Sequence, residues 1–290
     1  MANHNPVAGD YTFYTAFTPN TPIENNLYYM NNILSQTSLT DSDGDSVHLA
    51  FVNGQRIAPT TDPNHPKDTV IQGQYGALTI DAAGDFSYAY DLTNPAVQAM
   101  EANGGRLTDH FTFKVSDGRG GTDFGYFDMV GEAPQHGTTT ITFDDADAGF
   151  PYIYKGLQWG ELTDDPPYIA GNASNHFAVN IIGNVDIPIW AGNGEAVTFD
   201  SIDMSTTSAP GTSYAADVTF IGNGPDGEES LNATISPGSP NFDMSQADHI
   251  DLSSLGPIGQ LSIIVDDFPG YDGNPFDNPT IMFDNLTITV

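Results

Sequence analysis

The stretch Gly76-Ala77-Leu78-Thr79-Ile80-Asp81-Ala82-Ala83-Gly84-Asp85-Phe86-Ser87-Tyr88-Ala89-Tyr90 decides the fold. Leu78 and Ile80 alternate with small or polar residues, and beyond a short turn cluster Phe86, Tyr88 and Tyr90 do the same. A period of two sends one face of each segment into a core, which is the signature of a half-buried strand. The intervening Asp and Gly supply the backbone angles that a hairpin needs.

Outward from this hairpin the pattern repeats. His110-Phe111-Thr112-Phe113-Lys114-Val115 alternates and runs into Ser116-Asp117-Gly118-Arg119-Gly120-Gly121. Between the two lies the one convincing helix, residues 94–102: Asn94 caps it, Pro95 suits its first position, and Asn103-Gly104-Gly105 ends it. Short strands punctuated by turn clusters predict an all-β fold built of β-sandwiches. The 290 residues exceed one typical domain, and the small, Pro-containing stretch 131–137 predicts a boundary, giving domains over 1–133 and 138–290.

Charge narrows the function. Six Lys and Arg face 38 Asp and Glu, a net charge of -32, which disfavours nucleic acid as a partner because phosphate neutralisation needs basic side chains. It equally disfavours anionic membrane surfaces. Only seven of the acids are Glu, so 31 are Asp, the residue of tight turns and oxygen-rich cation sites. The excess is uneven: residues 1–136 carry net -11 and residues 137–290 net -21, so the second half is expected to lean more on cations. With no Cys, disulfides and thiolate metal sites are excluded, and calcium is the expected staple. No apolar run is long enough to span a membrane, so no membrane insertion is expected. The opening Met1-Ala2-Asn3-His4-Asn5-Pro6 lacks the features of a cleaved signal peptide, so secretion is expected by another route.

Three sets of aspartates are candidate metal ligands. Asp41, Asp43 and Asp45 alternate along one turn, an arrangement suited to a hard cation, although Ser46 and Val52 stand where a calcium loop of the EF-hand type needs Gly and Glu. Asp117 and Asp123 flank the Gly-rich hairpin. In the second half, Ile141-Thr142-Phe143-Asp144-Asp145 and Ile281-Met282-Phe283-Asp284-Asn285 are matching strands that end in acids. If those strands are neighbours, Asp144, Asp145 and Asp284 converge and require a cation. Saccharide binding needs aromatic faces beside polar groups. Tyr152, Tyr154, Trp159, Tyr168, Trp190 and Tyr271 are the candidates, with core packing the alternative for the two tryptophans. The sequence holds no nucleophile elbow, zincin helix, phosphate loop or thiol, and no pair of carboxylates is singled out for glycoside hydrolysis, so a non-catalytic protein is expected.

The segments 76–88, 95–100 and 107–122, with the opening Asn5-Pro6-Val7-Ala8 and the turn Asp41-Ser42-Asp43-Gly44-Asp45, resemble the VCBS and cadherin-like repeats of large bacterial adhesins. The resemblance implies a calcium-binding, immunoglobulin-like sandwich on a secreted or surface protein. Such repeats usually come in tandem, and here there is one. In that respect the chain is similar to the rhizobial Rap-type adhesins, short chains that leave by a type I exporter without a cleaved signal and bind exopolysaccharide. The second half, through Ile141-Thr142-Phe143-Asp144-Asp145, Tyr154-Lys155-Gly156-Leu157-Gln158-Trp159 and Phe283-Asp284-Asn285-Leu286, looks like a carbohydrate-binding jelly roll. The expectation is therefore a secreted or surface-bound, calcium-dependent lectin for extracellular polysaccharide or cell-surface glycan. The alternatives are a structural spacer of a larger adhesin and a polysaccharide-degrading enzyme.

Overall fold

The alternating segments fold as strands in the computed structural model, which describes residues 3–17, 23–24, 32–37, 39–58, 69–144, 153–159, 168–170, 176–180, 185–191, 196–207, 214–238, 244–269 and 279–290. The chain divides into one unit of Met1–Ala102 with Arg106–Glu132 and a second of Asn103–Gly105 with Ala133–Val290. Among the described residues no helix is long and apolar enough to cross a membrane.

The first unit contains β1 (Tyr11–Ala16), β2 (Ile23–Glu24), β3 (His48–Val52), β4 (Gln55–Arg56), β5 (Thr69–Gln72), β6 (Gly76–Ile80), β7 (Phe86–Tyr90), β8 (Gly105–Ser116) and β9 (Thr122–Ala133). They form a sheet of order β1-β9-β8-β3-β4 and another of order β2-β7-β6-β5. Both contribute to one core, in which Phe13 meets Phe86 edge-on at 5.0 Å and Phe111 stacks on Phe127 at 5.1 Å. This is a β-sandwich closed by aromatic side chains. A one-turn helix, α1 (Ile33–Gln36), is capped by Asn32; four residues are too few for periodicity to announce it. The expected helix is α2 (Pro95–Asn103), with the Asn94 side chain accepting from the Ala96 amide at 2.9 Å.

Three turns of this unit share one construction. In each, an Asp carboxylate oxygen accepts the amides two and four residues ahead, and the residue between is a Gly with positive φ. Asp41 holds Asp43 and Asp45 at 2.9 and 3.2 Å around Gly44 (φ 74°). Asp81 holds Ala83 and Asp85 at 2.9 and 3.0 Å around Gly84 (φ 92°). Asp117 holds Arg119 and Gly121 at 2.7 and 2.9 Å around Gly120 (φ 108°). Asp suits the first position because its short side chain reaches its own backbone, and Gly suits the fourth because a Cβ would be strained there.

In the second unit β10 (Thr138–Ile141), β11 (Ile153–Tyr154), β12 (Leu157–Trp159), β13 (Tyr168–Ala170), β14 (His176–Asn180), β15 (Val185–Ala191), β16 (Val197–Thr207), β17 (Ala216–Gly224), β18 (Gly227–Ile235), β19 (Asp248–Asp251), β20 (Pro257–Ile258), β21 (Gln260–Asp267) and β22 (Thr280–Thr289) make two antiparallel sheets. One runs β13-β14-β22-β16-β19, with β10 on β22 and β20 on β16; the other runs β11-β12-β15-β21-β17-β18. Phe199, Met204 and Phe283 from the first sheet share a core with Trp159, Ile189, Phe220 and Ile263 from the second. The chain crosses between the sheets from β10 to β11, β12 to β13, β14 to β15, β15 to β16, β16 to β17, β18 to β19, β20 to β21 and β21 to β22, so the two sheets are interleaved along the sequence.

One buried acid ties the first unit together. Asp109, 2% exposed, accepts the amides of Gln74 (2.5 Å) and Tyr75 (3.1 Å) and the Tyr88 hydroxyl (2.5 Å). A Cβ at Gly73 would collide with its carboxylate, so a larger residue there would displace Asp109 from these bonds. Burial, then the bond to Asp109, pushes the Tyr88 phenol far above its ordinary range. Replacing Asp109 by Ala strands the buried Tyr88 hydroxyl and two partly buried amides, and a loss of about 3 kcal/mol is expected. Denaturant unfolding followed by circular dichroism checks this; a loss below about 1 kcal/mol would remove the claim that Asp109 fastens this loop to the sandwich.

Candidate metal centre

Of the three equivalent turns, only the one at 41–45 carries acids at both amide-donating positions. The Asp scaffold that folds the turn therefore also gathers carboxylates: one oxygen each from Asp41, Asp43 and Asp45 lies within 4.8 Å of the others. Asp41 uses Oδ1 for the turn amides, and its Oδ2 is buried without a hydrogen-bond partner. Asp45, whose side chain is 9% exposed, pairs Oδ1 with Arg119 Nη1 at 2.9 Å, while its Oδ2 is likewise buried and unpartnered. Asp43 accepts the His4 amide at 2.6 Å and faces the His4 ring Nδ1 at 3.0 Å. The amide and then the ring hold Asp43 below the usual carboxylate range, and the hydrogen bond to Asp43 raises His4.

Two buried carboxylate oxygens without a donor are costly unless a cation meets them. The donor set is all oxygen, which suits a hard ion such as calcium or magnesium rather than zinc. The residues present thus fit a divalent cation. Calcium takes six to eight oxygens, so backbone carbonyls or water must complete the shell.

Asp117 and Asp123 stand outside this group of three, for a local reason. Asp117 Oδ1 holds its own turn and Oδ2 accepts Asn3 Nδ2 at 2.6 Å; these bonds, the one from Asn3 first, pull it below the ordinary range. Asp123 Oδ2 accepts the Ala8 amide at 3.0 Å. Both fasten the N-terminal segment to the sheet.

A second gathering of acids occurs in the other unit. β10 pairs with β22, Ile141 opposite Leu286, and on the other side β16 pairs with β22, Asp203 opposite Asp284. Asp284 is 5% exposed; burial, and then the charges of Asp144 and Asp203, push it up to about 6 against the pull of the Asn285 amide. Asp203 accepts Asn285 Nδ2 at 2.8 Å and faces His249 Nδ1 at 2.6 Å. Asp203 was not singled out in the sequence, because only the β16–β22 register brings it opposite Asp284. Phe143, just before Asp144, holds φ 57°, a left-handed backbone that costs ~1–2 kcal/mol, and its buried ring stacks on Tyr154 at 5.5 Å. Asp145 lies outside the described residues.

The aromatic candidates separate sharply. Tyr154 and Trp159 are not a saccharide platform: they are 3% and 1% exposed, and Trp159 stacks on Phe283 at 5.9 Å and meets Phe143 edge-on at 5.5 Å. The core between the two sheets needs large apolar groups, and a tryptophan at the inward position of β12 supplies one. Trp190 sits at an outward, partly exposed position of β15, opposite Gln158 and Gln260. Tyr168 is in β13 opposite Ala178. Tyr152 and Tyr271 lie outside the described residues.

No protein-family model matches the sequence. Among curated proteins, the calcium-binding lectin RapA2 of Rhizobium johnstonii is 26% identical over 98 residues, 34% of this chain and 40% of that protein's length. Among solved structures, a family 29 carbohydrate-binding module matches 52% of this chain and 89% of its own at 13% identity and TM-score 0.30. A DUF4465 family protein of Bacteroides caccae matches 64% and 86% at 12% identity and TM-score 0.27. The module TmCBM61, solved with β-1,4-galactotriose, matches 51% and 92% at 7% identity and TM-score 0.28. Scores of this size carry no inference about ligand or activity.

The raised Asp284 sets a pH dependence. Its folded value of about 6 lies above the ordinary 3.8, so its contribution is fully present below pH 3.8 and is lost as pH rises through about 6. Both tryptophans of the chain, Trp159 and Trp190, lie in the second unit, so tryptophan emission reports its unfolding. In EDTA the denaturant midpoint read this way is expected to fall between pH 4 and pH 6, and the fall is expected to flatten in Asp284→Asn; an identical slope in both proteins would contradict this assignment.

Proposed function

We propose that this is a secreted or surface-exposed β protein that binds calcium at Asp41, Asp43 and Asp45 and, with its loops so held, binds an extracellular polysaccharide without catalysing its breakdown. The observation that carries the calcium reading is the pair of buried, unpartnered oxygens on Asp41 and Asp45. The stretch shared with a protein named as a calcium-binding lectin supports the saccharide reading. On this reading the first unit is a cadherin-like calcium sandwich and the second a jelly-roll module of the carbohydrate-binding kind. A second ion at Asp144, Asp203 and Asp284 takes the place of the proton that Asp284 otherwise holds, and Asp145 and Trp190 are further candidates for ion and ligand. Export by a type I route accords with the surroundings in which such sites work: extracellular modules bind calcium with Kd of ~10⁻⁴–10⁻³ M, and the ion is abundant there.

Calcium acts by stabilising the folded loops that present the ligand surface. At calcium about 100-fold above Kd the folded state gains about 2.7 kcal/mol per site. Excess EDTA is therefore expected to lower the melting temperature by several degrees, and calcium to restore it. In calorimetric titration Asp41→Asn is expected to weaken calcium binding by roughly tenfold or more, whereas Arg119→Gln, which frees Asp45, strengthens it several-fold. A glycan array probed in calcium and again in EDTA tests the rest. An unchanged melt overturns the calcium reading, and a blank array in calcium overturns the lectin reading in favour of a spacer.

A further inference from the structure

The outer face of the five-stranded sheet in the first unit carries a row of side chains that no role so far explains. Phe51 on β3 lies opposite Lys114 on β8 and opposite Arg56 on β4, so these three share one face. Lys114 Nζ lies 5.2 Å from the centre of the Phe124 ring on β9, which extends the row to a fourth strand. Phe124 is 66% exposed and Phe51 36%, while the alternate residues Phe111, Phe113 and Phe127 are buried beneath. With strands ~4.8 Å apart the row spans ~14 Å, the scale of an oligosaccharide rather than a single sugar. Tyr126, 43% exposed, continues the aromatic face and has the His110 ring 5.1 Å away.

Composition makes this row exceptional. The chain has six Lys and Arg against 38 acids, and two of the six stand here beside exposed rings. A groove of about 280 Å³ lined by Phe51, Gly54, Thr112, Phe113, Lys114 and Phe124 contains no acid. Grooves of about 420 Å³ and 260 Å³ elsewhere on the chain each hold two aspartates, Asp41 with Asp45 and Asp217 with Asp266. Asp128 and Asp10 lie toward the Tyr126 end, where Asp128 faces His110 and Asp10 accepts the Tyr126 amide, so the cationic end is the one toward β3 and β4. Exposed apolar rings favour a partner that covers them, and the non-polar face of a pyranose does so. An ammonium and a guanidinium at the same place favour a carboxylate, the guanidinium in bidentate fashion.

We infer that this face is a binding subsite for a carboxylate-bearing saccharide, whose sugar rings stack on Phe124 and Phe51 while Lys114 and Arg56 pair with the carboxylate. The inference rests on the polysaccharide-binding reading and names the place and ligand class. It also assigns recognition to residues of the first unit rather than to the aromatic candidates of the second.

Affinity electrophoresis of the full chain in calcium buffer tests it, with polygalacturonate, alginate, carboxyl-reduced polygalacturonate and a neutral glucan as the immobilised polymers. Retardation by the carboxylated polymers is expected, with a loss of roughly tenfold or more in affinity on carboxyl reduction and in each of Phe124→Ala, Lys114→Gln and Arg56→Gln. These side chains are at the surface, so the calcium-dependent melt of each variant should match the parent. Wild-type binding that all three substitutions leave intact overturns this subsite while the polysaccharide reading stands. Equal binding to the carboxyl-reduced polymer overturns the anionic class alone. Retardation by none of the polymers overturns both. A dimer in sedimentation that Phe124→Ala dissolves would assign the face to a second copy of the chain and overturn the inference.

Discussion

Carboxylates outnumber basic side chains by more than six to one, so most of them must be satisfied by something other than an ion pair. The backbone does this. Asp41, Asp81 and Asp117 each accept amides two and four residues ahead, Asp91 and Asp251 accept the amide two ahead, and Asp109 accepts two amides from a distant loop. Each such bond is charge-assisted and stronger than a neutral one, and each fixes the geometry of a turn. An acidic composition that would otherwise expand the chain becomes the means of shaping its loops.

The same device explains why chemistry is concentrated where it is. Three turns have one backbone, yet their donating positions carry Asp43 and Asp45 in the first, Ala83 and Asp85 in the second, and Arg119 and Gly121 in the third. Only the first assembles three carboxylates, and only there do buried oxygens lack a partner on Asp41 and Asp45. Arg119 from the third turn reaches Asp45, so a cation entering the first turn must compete with a guanidinium. In the second unit repulsion is handled differently: Asp284 sits near Asp144 and Asp203 in a buried position and retains its proton up to about pH 6.

Aromatic residues divide between two tasks. Phe13, Tyr88, Phe111 and Phe127 close the first core, and Phe143, Trp159 and Phe283 close part of the second. Among the described residues of the first unit, the aromatic side chains that remain exposed, Phe51, Phe124 and Tyr126, share a sheet with Lys114 and Arg56. Size alone does not separate the two groups; position on the pleat does, since β8 turns Phe111, Phe113 and Val115 inward and Thr112 and Lys114 outward, and β9 buries Phe127 while Phe124 and Tyr126 stay exposed.

The sequence by itself determined the strands, the turns and the helix of residues 94–102, because period-two alternation, Asp-Gly turn chemistry and an Asn-Pro cap are local and act within a few residues. It also determined the acids at 41–45 as a group, since one turn holds all three. Only the tertiary structure decided which residues meet across strands. The opposition of Asp203 and Asp284 depends on the β16–β22 register, the burial of Tyr154 and Trp159 depends on a second sheet covering them, and the row Phe124, Lys114, Phe51 and Arg56 exists only because four strands lie side by side. Contacts between residues far apart in the chain are set by pairing and packing, and a residue's spacing along the chain says on which face it stands, not what stands beside it.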